Sequence, residues 1–277
     1  MTQEIDPRFL FQACLGRQAN QDEMLDLEER LKHVPAFEVL HQFLASAEYT
    51  RGCLEQALPL HLLFIHAARL KLTSTMLPKA ETIVDLGGAN GNLYDMGYPH
   101  PFRELIAVDL PNDERCEMYR GIKMENRVLS HGKISVLYSN MTDLSAIPSD
   151  SVDLVWMGQA VEHITEEESF AVYREVRRVL HPGAYFCLDT PNRNLTEVHT
   201  GGGLIHPEHK LEYRPAHLKA NLTGAGFTIV EELGLCEMVR SWRSKRFEYT
   251  DFLTGSGINT NVEGSYIQYY CCQSALA

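Results

Sequence analysis

The run VDLGGANG, residues 84–91, sets a carboxylate two positions ahead of a glycine bend. Gly87, Gly88 and Gly91 allow a backbone to turn sharply and to come close to a ligand, so a nucleotide could be held here. Spacing narrows the choice. A phosphate-cradling loop needs G-x-x-x-x-G-K-[ST], and neither that spacing nor the lysine is present. A dinucleotide site needs G-x-G-x-x-G, yet the frame that starts at Gly87 has Ala89 and Asn92 at its second and third glycine positions. Asp85 beside such a bend suits an amine-bearing or cationic ligand better than a pyrophosphate. A second acid, Asp109, stands near the end of LIAVDL, 18 residues beyond Gly91. That is close to the ~20-residue interval at which a carboxylate meets ribose hydroxyls. A nucleoside with an amine and no diphosphate satisfies both acids.

The elements that must position these groups are legible from residue 82 onward. Seven short apolar runs, TIVDL, LIAVDL, ISVLY, VDLVWM, AYFCLDT, FTIVEE and SYIQYYCC, are separated by polar stretches at helical spacing. Strands alternating with helices predict an α/β fold: a doubly wound, Rossmann-like, seven-stranded, mostly parallel sheet with ligands at the carboxyl ends of its strands. Ahead of it, residues 8 to about 50 carry apolar positions at helical spacing, among them Phe37, Leu40, His41 and Leu44. Asn20 and Asp22 are available as caps and Pro35 as punctuation, which predicts a small helical N-terminal region over 1–56 ahead of a second domain over 57–277. ALPLHLLFIHAARLKL, residues 57–72, reads as a buried helix leading into that second domain.

Composition removes several function classes. The formal net charge of -12 opposes general nucleic-acid binding. The densest basic segment, VRSWRSKRF at 239–247, reads as a solvated face that could otherwise meet a phosphorylated substrate. No stretch reaches the ~20 apolar residues of a transmembrane segment. The opening residues lack a basic region followed by an apolar one, so a cytoplasmic location is expected. Seven cysteines without a C-x-x-C pair read as buried thiols.

Five blocks, in order, resemble the class I S-adenosylmethionine-dependent methyltransferases over about residues 60–275. They are VDLGGANG, AVDL, YSNMTDLSAIPSDSVDLVWMGQAVEHI, EVRRVLHPGAYFCLDTPN and HPEHKLEYRPAHLKANLTGAGF. The resemblance implies S-adenosylmethionine as cofactor, with S-adenosylhomocysteine as product. It places Asp85, Gly87, Gly88 and Gly91 at the methionine part, Asp109 and Leu110 at the ribose, Asn140 and Met141 at the adenine, and Gln159 at the closing edge. Two positions depart from the family pattern. Ala89 stands where a middle glycine is usual, and Asn140 replaces an aspartate, with an amide oxygen that could still accept from an adenine amino group. The N-terminal pattern, from LGRQANQDEM to LASAEY, resembles a helical domain found beside bacterial enzymes of surface-glycan assembly.

With an activated methyl donor, the remaining chemistry is proton removal from a hydroxyl acceptor, for which histidine is the commonest base. His163, in GQAVEHIT after the fourth strand, is the first candidate, with Glu162 beside it and His209 on the glycine-rich connection GGGLIHPEHKLEY. Glu162, His163 and either His206 or His209 could also share a divalent metal that acidifies the acceptor. O-methyltransferases with such a cage carry E-x-x-E-H, and Gln159 stands at the first glutamate, so no resident metal is expected. The acceptor is expected to be a sugar hydroxyl of a bacterial cell-surface polysaccharide or its precursor. A small-molecule, quinone-precursor-like acceptor is the alternative, and a scaffold with a vestigial cofactor site the non-enzyme alternative. Acceptor specificity is expected in segments 193–217 and 236–263, outside the cofactor motifs. These motifs carry no signature of an oligomeric state.

Overall fold

Every residue of Thr82–Leu86 is buried, which is the mark of a strand covered on both faces. The computed structural model describes residues 11, 19–35, 38–39, 42–43, 46, 48, 62, 64–88, 93–115, 124–255 and 257–274. The chain divides into two compact units, Met1–Leu63 and Phe64–Ala277. The division falls after the expected break at 56/57. A helix over 64–75 explains this, because its Ala68 and Leu72 belong to the core packed on the sheet.

In the first unit, helix Gln21–Leu31 is started by Asn20. The Asn20 side chain accepts from the Glu23 N–H at 2.9 Å, and Glu23 accepts in return from the Asn20 N–H at 2.8 Å. Asp22 lies in the first turn, where its charge opposes the helix dipole favourably, rather than at the cap. Phe11, Leu27, Val39 and Phe43 form a small apolar cluster. Phe37, Leu40, His41 and Leu44 lie outside the described residues.

In the second unit all seven expected strands form. They are β1 (Thr82–Leu86), β2 (Glu104–Asp109), β4 (Gly132–Tyr138), β5 (Val152–Gly158), β6 (Leu180–Pro191), β7 (Phe227–Glu237) and β9 (Ser265–Ser274). Two short strands, β3 (Arg127–Leu129) and β8 (Ile258–Asn259), raise the count from the expected seven to nine. Each pairs antiparallel at an edge, three residues on β4 and two on β7, too short to show a hydrophobic period in sequence.

The order is β3-β4-β2-β1-β5-β6-β9-β7-β8. Strands β4, β2, β1, β5 and β6 pair in parallel, and β9 inserts antiparallel between β6 and β7. The chain winds outward from β1 through β2 to β4, then restarts at β5 on the other side. This switch point opens a crevice at the carboxyl ends of β1 and β5. Two apolar layers cover the sheet, one centred on Val84, Val155 and Phe186, the other on Ile83, Leu105 and Trp156.

Cys187, Cys236, Cys271 and Cys272 are buried free thiols, as expected. No helix among the described residues is long and apolar enough to cross a membrane.

Candidate active site

The bend after β1 has two glycines with different reasons to be glycine. Gly87 has φ +78°, a left-handed conformation that disfavours side chains, and its N–H donates to the Val108 carbonyl at 2.9 Å. A Cβ on Gly88 would stand 2.9 Å from the Asp85 carboxyl, so the missing side chain leaves room for that carboxylate. Asp85 is 2 % exposed, and its Oδ2 accepts from the Leu93 N–H at 2.6 Å. Burial pushes its pKa up to about 7, against the Leu93 hydrogen bond, and the charge of Asp109 pushes in the same direction as burial. A buried acid held near neutrality gains most from a cationic ligand.

At the end of β2, Asp109 Oδ1 accepts from the Leu110 N–H at 2.7 Å. Arg115, 4 % exposed, brings Nε within 3.4 Å of the same oxygen and donates to the Leu110 carbonyl at 2.8 Å. After β4, Asn140 closes a local turn: its Oδ1 accepts from the Thr142 N–H at 3.0 Å and the Thr142 hydroxyl at 2.9 Å. Both lone pairs of that oxygen are thus engaged, which leaves the Asn140 NH2 group and the backbone, not the expected amide oxygen, for an adenine.

Gln159 follows β5 with φ +53°, rare for a residue with a side chain. Its N–H donates to the Asp189 carbonyl at 2.9 Å and to the Asp189 carboxylate at 3.0 Å. Arg69 Nε donates to the other oxygen of that fully buried carboxylate at 2.5 Å. Asp189 at the end of β6 therefore ties the 64–75 helix to the edge of the site.

These groups surround a cleft of about 760 Å³, within the roughly 300–1,000 Å³ of small-molecule sites. Asp85, Gly87, Gly88, Asp109, Leu110, Asn140, Met141 and Gln159 all line it, and so does His163. Gly91 lies outside the described residues, as does Ala89. Glu162 and His209 stand behind His163 and do not line the cleft.

Val161–His163 forms one 3-10 turn, ahead of helix Glu166–Val179, whose start is capped by Thr165 and Glu168. Glu162 is 1 % exposed; its Oε2 accepts from the Thr190 hydroxyl at 2.9 Å and its Oε1 has no hydrogen-bond partner. Burial raises its pKa to about 7, opposed by His209 and Thr190. Burial lowers the pKa of His163 to about 4, reinforced by the neighbouring His209 and His206, so the ring is unprotonated at neutral pH.

The connection 201–213 is fastened to this turn, with the N–H groups of Lys210 and Leu211 donating to the Glu162 carbonyl at 2.8 and 3.3 Å. His209 meets His163 edge to face, ring centroids 4.9 Å apart, and its Nδ1 lies 2.7 Å from Glu212 Oε1. One donor atom each from Glu162, His163 and His209 lies within 4.8 Å of the other two. His206 is farther, its ring centroid 6.1 Å from that of His163.

A strand order that reverses between β1 and β5, with carboxylates at the ends of β1 and β2 facing one cleft, has a counterpart in known proteins. Residues 84–188 match the family described as "Methyltransferase domain". A "probable S-adenosylmethionine-dependent methyltransferase" of Mycolicibacterium smegmatis is 33% identical over 103 residues, 37% of this chain and 38% of that protein. Residues 84–188 therefore carry a methyltransferase domain. The alpha N-terminal protein methyltransferase 1 of Drosophila melanogaster is 26% identical over 107 residues, 38% of this chain and 36% of that protein. The chain thus spans under two fifths of the length of each of these curated relatives.

Solved structures share the fold of the methyltransferase domain. One from Thermotoga maritima, described as a possible histamine N-methyltransferase, aligns with TM-score 0.52 at 14% identity over 77% of this chain and 91% of its own. An Archaeoglobus fulgidus methyltransferase aligns with TM-score 0.51 at 18% identity, covering 77% and 93%.

The methyltransferase domain also uses residues that the motifs did not single out: Arg69, Arg115, Asp189, Thr190 and Glu212. Asp189 and Thr190 had a readable signal, as polar residues closing an apolar strand at the ligand end of a parallel sheet. Arg69 and Asp189 are 120 residues apart in sequence, and no local pattern joins them. Of the two segments expected to set the acceptor, 193–217 contributes Glu208 and Lys210 to the cleft lining and 236–263 contributes none among its described residues. The latter instead props the former: Tyr249 Oη lies 2.7 Å from His199 Nε2, and Phe247 stacks on the His199 ring at 3.8 Å. The basic stretch 239–247 is likewise absent from the lining, with Lys245 lying over the Trp242 ring.

Proposed function

We propose that the protein transfers the methyl group of S-adenosylmethionine to a hydroxyl oxygen of a sugar, in a bacterial surface polysaccharide or its lipid-linked precursor, on the cytoplasmic side. One observation carries the acceptor class. Beside His163 the cleft is lined by Glu168, Glu208 and Lys210, charged groups that can bond several hydroxyls at once and offer little to a flat apolar ring. The resemblance of the N-terminal segment to a domain found beside glycan enzymes supports the same reading.

The chain fits the cofactor. Asp85 and the Gly88 cradle suit an ammonium, Asp109 and Arg115 a ribose, and the Asn140 turn an adenine edge. When bound, the cofactor supplies a methyl group on a sulfonium that leaves as a neutral thioether. This chain's part is to align the acceptor oxygen with that carbon, to exclude water and to take the hydroxyl proton. His163 lines the cleft and is unprotonated at neutral pH, the state able to accept that proton. The oxygen gains the methyl carbon, the O–H bond breaks, and its proton passes to the ring.

The test uses methyl-labelled cofactor with glycan, lipid-linked and small-molecule fractions of a bacterial extract. Label in a sugar is expected. Label reaching only a phenol or quinone precursor replaces the acceptor, and absence of saturable S-adenosylhomocysteine binding would make the site vestigial.

A further inference from the structure

We infer that Glu212 is a positioning residue for His163: through His209 and the segment 205–209 it fixes the plane and the tautomer of the ring that takes the acceptor's proton. The role of that ring rests on the function proposed above, whereas the coupling of Glu212 to it does not.

The first argument is where the ring N–H goes. The Glu208 backbone hydrogen-bonds the His163 ring in the sense that favours its protonated form, as a carbonyl does when it accepts from a ring N–H. A neutral imidazole has one N–H and one lone pair. With the N–H committed to Glu208, the second nitrogen keeps the lone pair, which is the state a base requires. His163 is therefore ready to act only while residue 208 holds its place.

The second argument is what holds residue 208. Its own N–H donates to His206 Nδ1 at 3.3 Å, and just beyond it the N–H groups of Lys210 and Leu211 close on the Glu162 carbonyl. Glu212 fixes the segment on both sides: its Oε1 accepts from the Ile205 N–H at 2.7 Å and lies 2.7 Å from His209 Nδ1. Its Oε2 accepts from the Thr196 hydroxyl and from Arg193 at 3.3 Å, both on helix Arg193–Thr200. Burial opposes ionisation of Glu212, but the hydrogen bonds from His209, Thr196 and Ile205 outweigh it and hold its pKa below the ordinary carboxylate value. A charged carboxylate thus ties positions 205 and 209 to one helix.

The third argument is the ring contact. His209 stands perpendicular to His163, at 89° with centroids 4.9 Å apart. The hydrogen bond that one imidazole nitrogen makes decides which nitrogen carries the proton and how the ring is turned. Glu212 makes that bond to His209, and a His209 turned away from it would give up the edge-to-face packing against His163. Glu212 does not itself line the cleft, so it acts on the acceptor only through these contacts.

The test is proton–nitrogen correlation NMR of the imidazole rings in the full-length protein with S-adenosylhomocysteine bound, with labelled-methyl transfer measured alongside. One tautomer is expected for His163 in the wild type. Glu212→Gln keeps the size of the side chain and removes its charge. It should spread His163 over both tautomers and lower turnover about 10- to 100-fold, the usual cost of a misplaced reacting group, with S-adenosylhomocysteine affinity within about twofold. If Glu212→Gln loses that affinity, His209→Phe decides, because it keeps a perpendicular ring, cuts it from Glu212 and should give the same mixture. Thr200→Val frees the Gly203 carbonyl without touching Glu212, and should leave His163 in one tautomer. A mixture already present in the wild type, an equal mixture in Thr200→Val, or a single tautomer kept in the deciding variant overturns the inference. The spectra need no acceptor, so a wrong acceptor or base shows only in the transfer assay, as His163→Ala at the wild-type rate, and leaves the coupling standing.

Discussion

The two halves of the cleft are built by different means. The cofactor half stands at the ends of β1, β2 and β4, where glycine, local turns and neighbouring N–H groups do the shaping. Leu93 bonds Asp85, Leu110 bonds Asp109, and Thr142 bonds Asn140, each within eight residues. The acceptor half is built from side chains that meet across the fold: Thr190 with Glu162, Arg69 with Asp189, Glu212 with Thr196. A half made of backbone serves any protein that binds this nucleoside, whereas a half made of distant side chains can change its acceptor without disturbing the first. The sharpest way to break the comparison is to make a change in one half appear in the other.

The largest expected effect is on transfer alone. His163→Ala should lower the rate of methyl transfer by about 10²- to 10⁴-fold, the usual contribution of a positioned base, and leave S-adenosylhomocysteine affinity within about threefold. Single-turnover transfer and calorimetry measure the two. A matching loss of affinity would show that the halves are one unit.

Next comes the reverse case. Asp109→Ala removes a charged acceptor and leaves the buried Arg115 guanidinium with less compensation. Losing a hydrogen bond to a charged group costs about 1.5–3 kcal/mol, so affinity should fall about 10- to 100-fold. At saturating cofactor, transfer should recover to near the wild-type rate. Failure to recover would mean that the ribose contact also aligns the methyl group.

How far the sequence discloses each half follows from the same difference. Asp85, Gly87, Gly88 and Asp109 were legible because a strand, a bend and a following acid are local and periodic. His163 was legible by its place after a strand. Glu212, Thr190 and Arg69 were not, because their meaning comes from partners 16 to 120 residues away that only the folded sheet selects. Strands β3 and β8 were missed because three- and two-residue edges bury too little to leave a pattern.

A third prediction concerns pH. Asp85 is raised from an ordinary 3.8 to about 7 by burial, so the ligand-free domain holds it protonated below neutrality. An acid with a raised folded pKa adds stability that is fully present below the unfolded value and is lost as pH rises through the folded one. A bound ammonium favours the carboxylate, so binding releases a proton below pH 7. S-adenosylhomocysteine affinity should therefore be about tenfold lower at pH 6 than at pH 8, with proton release visible in buffers of different ionisation enthalpy. Asp85→Asn should flatten that slope. A slope retained in Asp85→Asn would assign the proton to another group.

The smallest effect tests how locally the cofactor half is built. The Asn140 amide oxygen holds both donors of Thr142, which makes it a turn former first. Aspartate forms the same turn, and Asn140→Asp should leave S-adenosylhomocysteine affinity within about twofold, because the backbone that faces the adenine keeps its shape. Asn140→Ala loses both hydrogen bonds at an exposed site, worth about 1 kcal/mol in all, and should weaken binding about fivefold. If Asn140→Asp instead binds tenfold tighter or weaker, the side chain reads the adenine directly and the turn is incidental. The cofactor half would then share with the acceptor half a dependence on individual side chains, and the division drawn between them would lie only in how far apart their partners are in sequence.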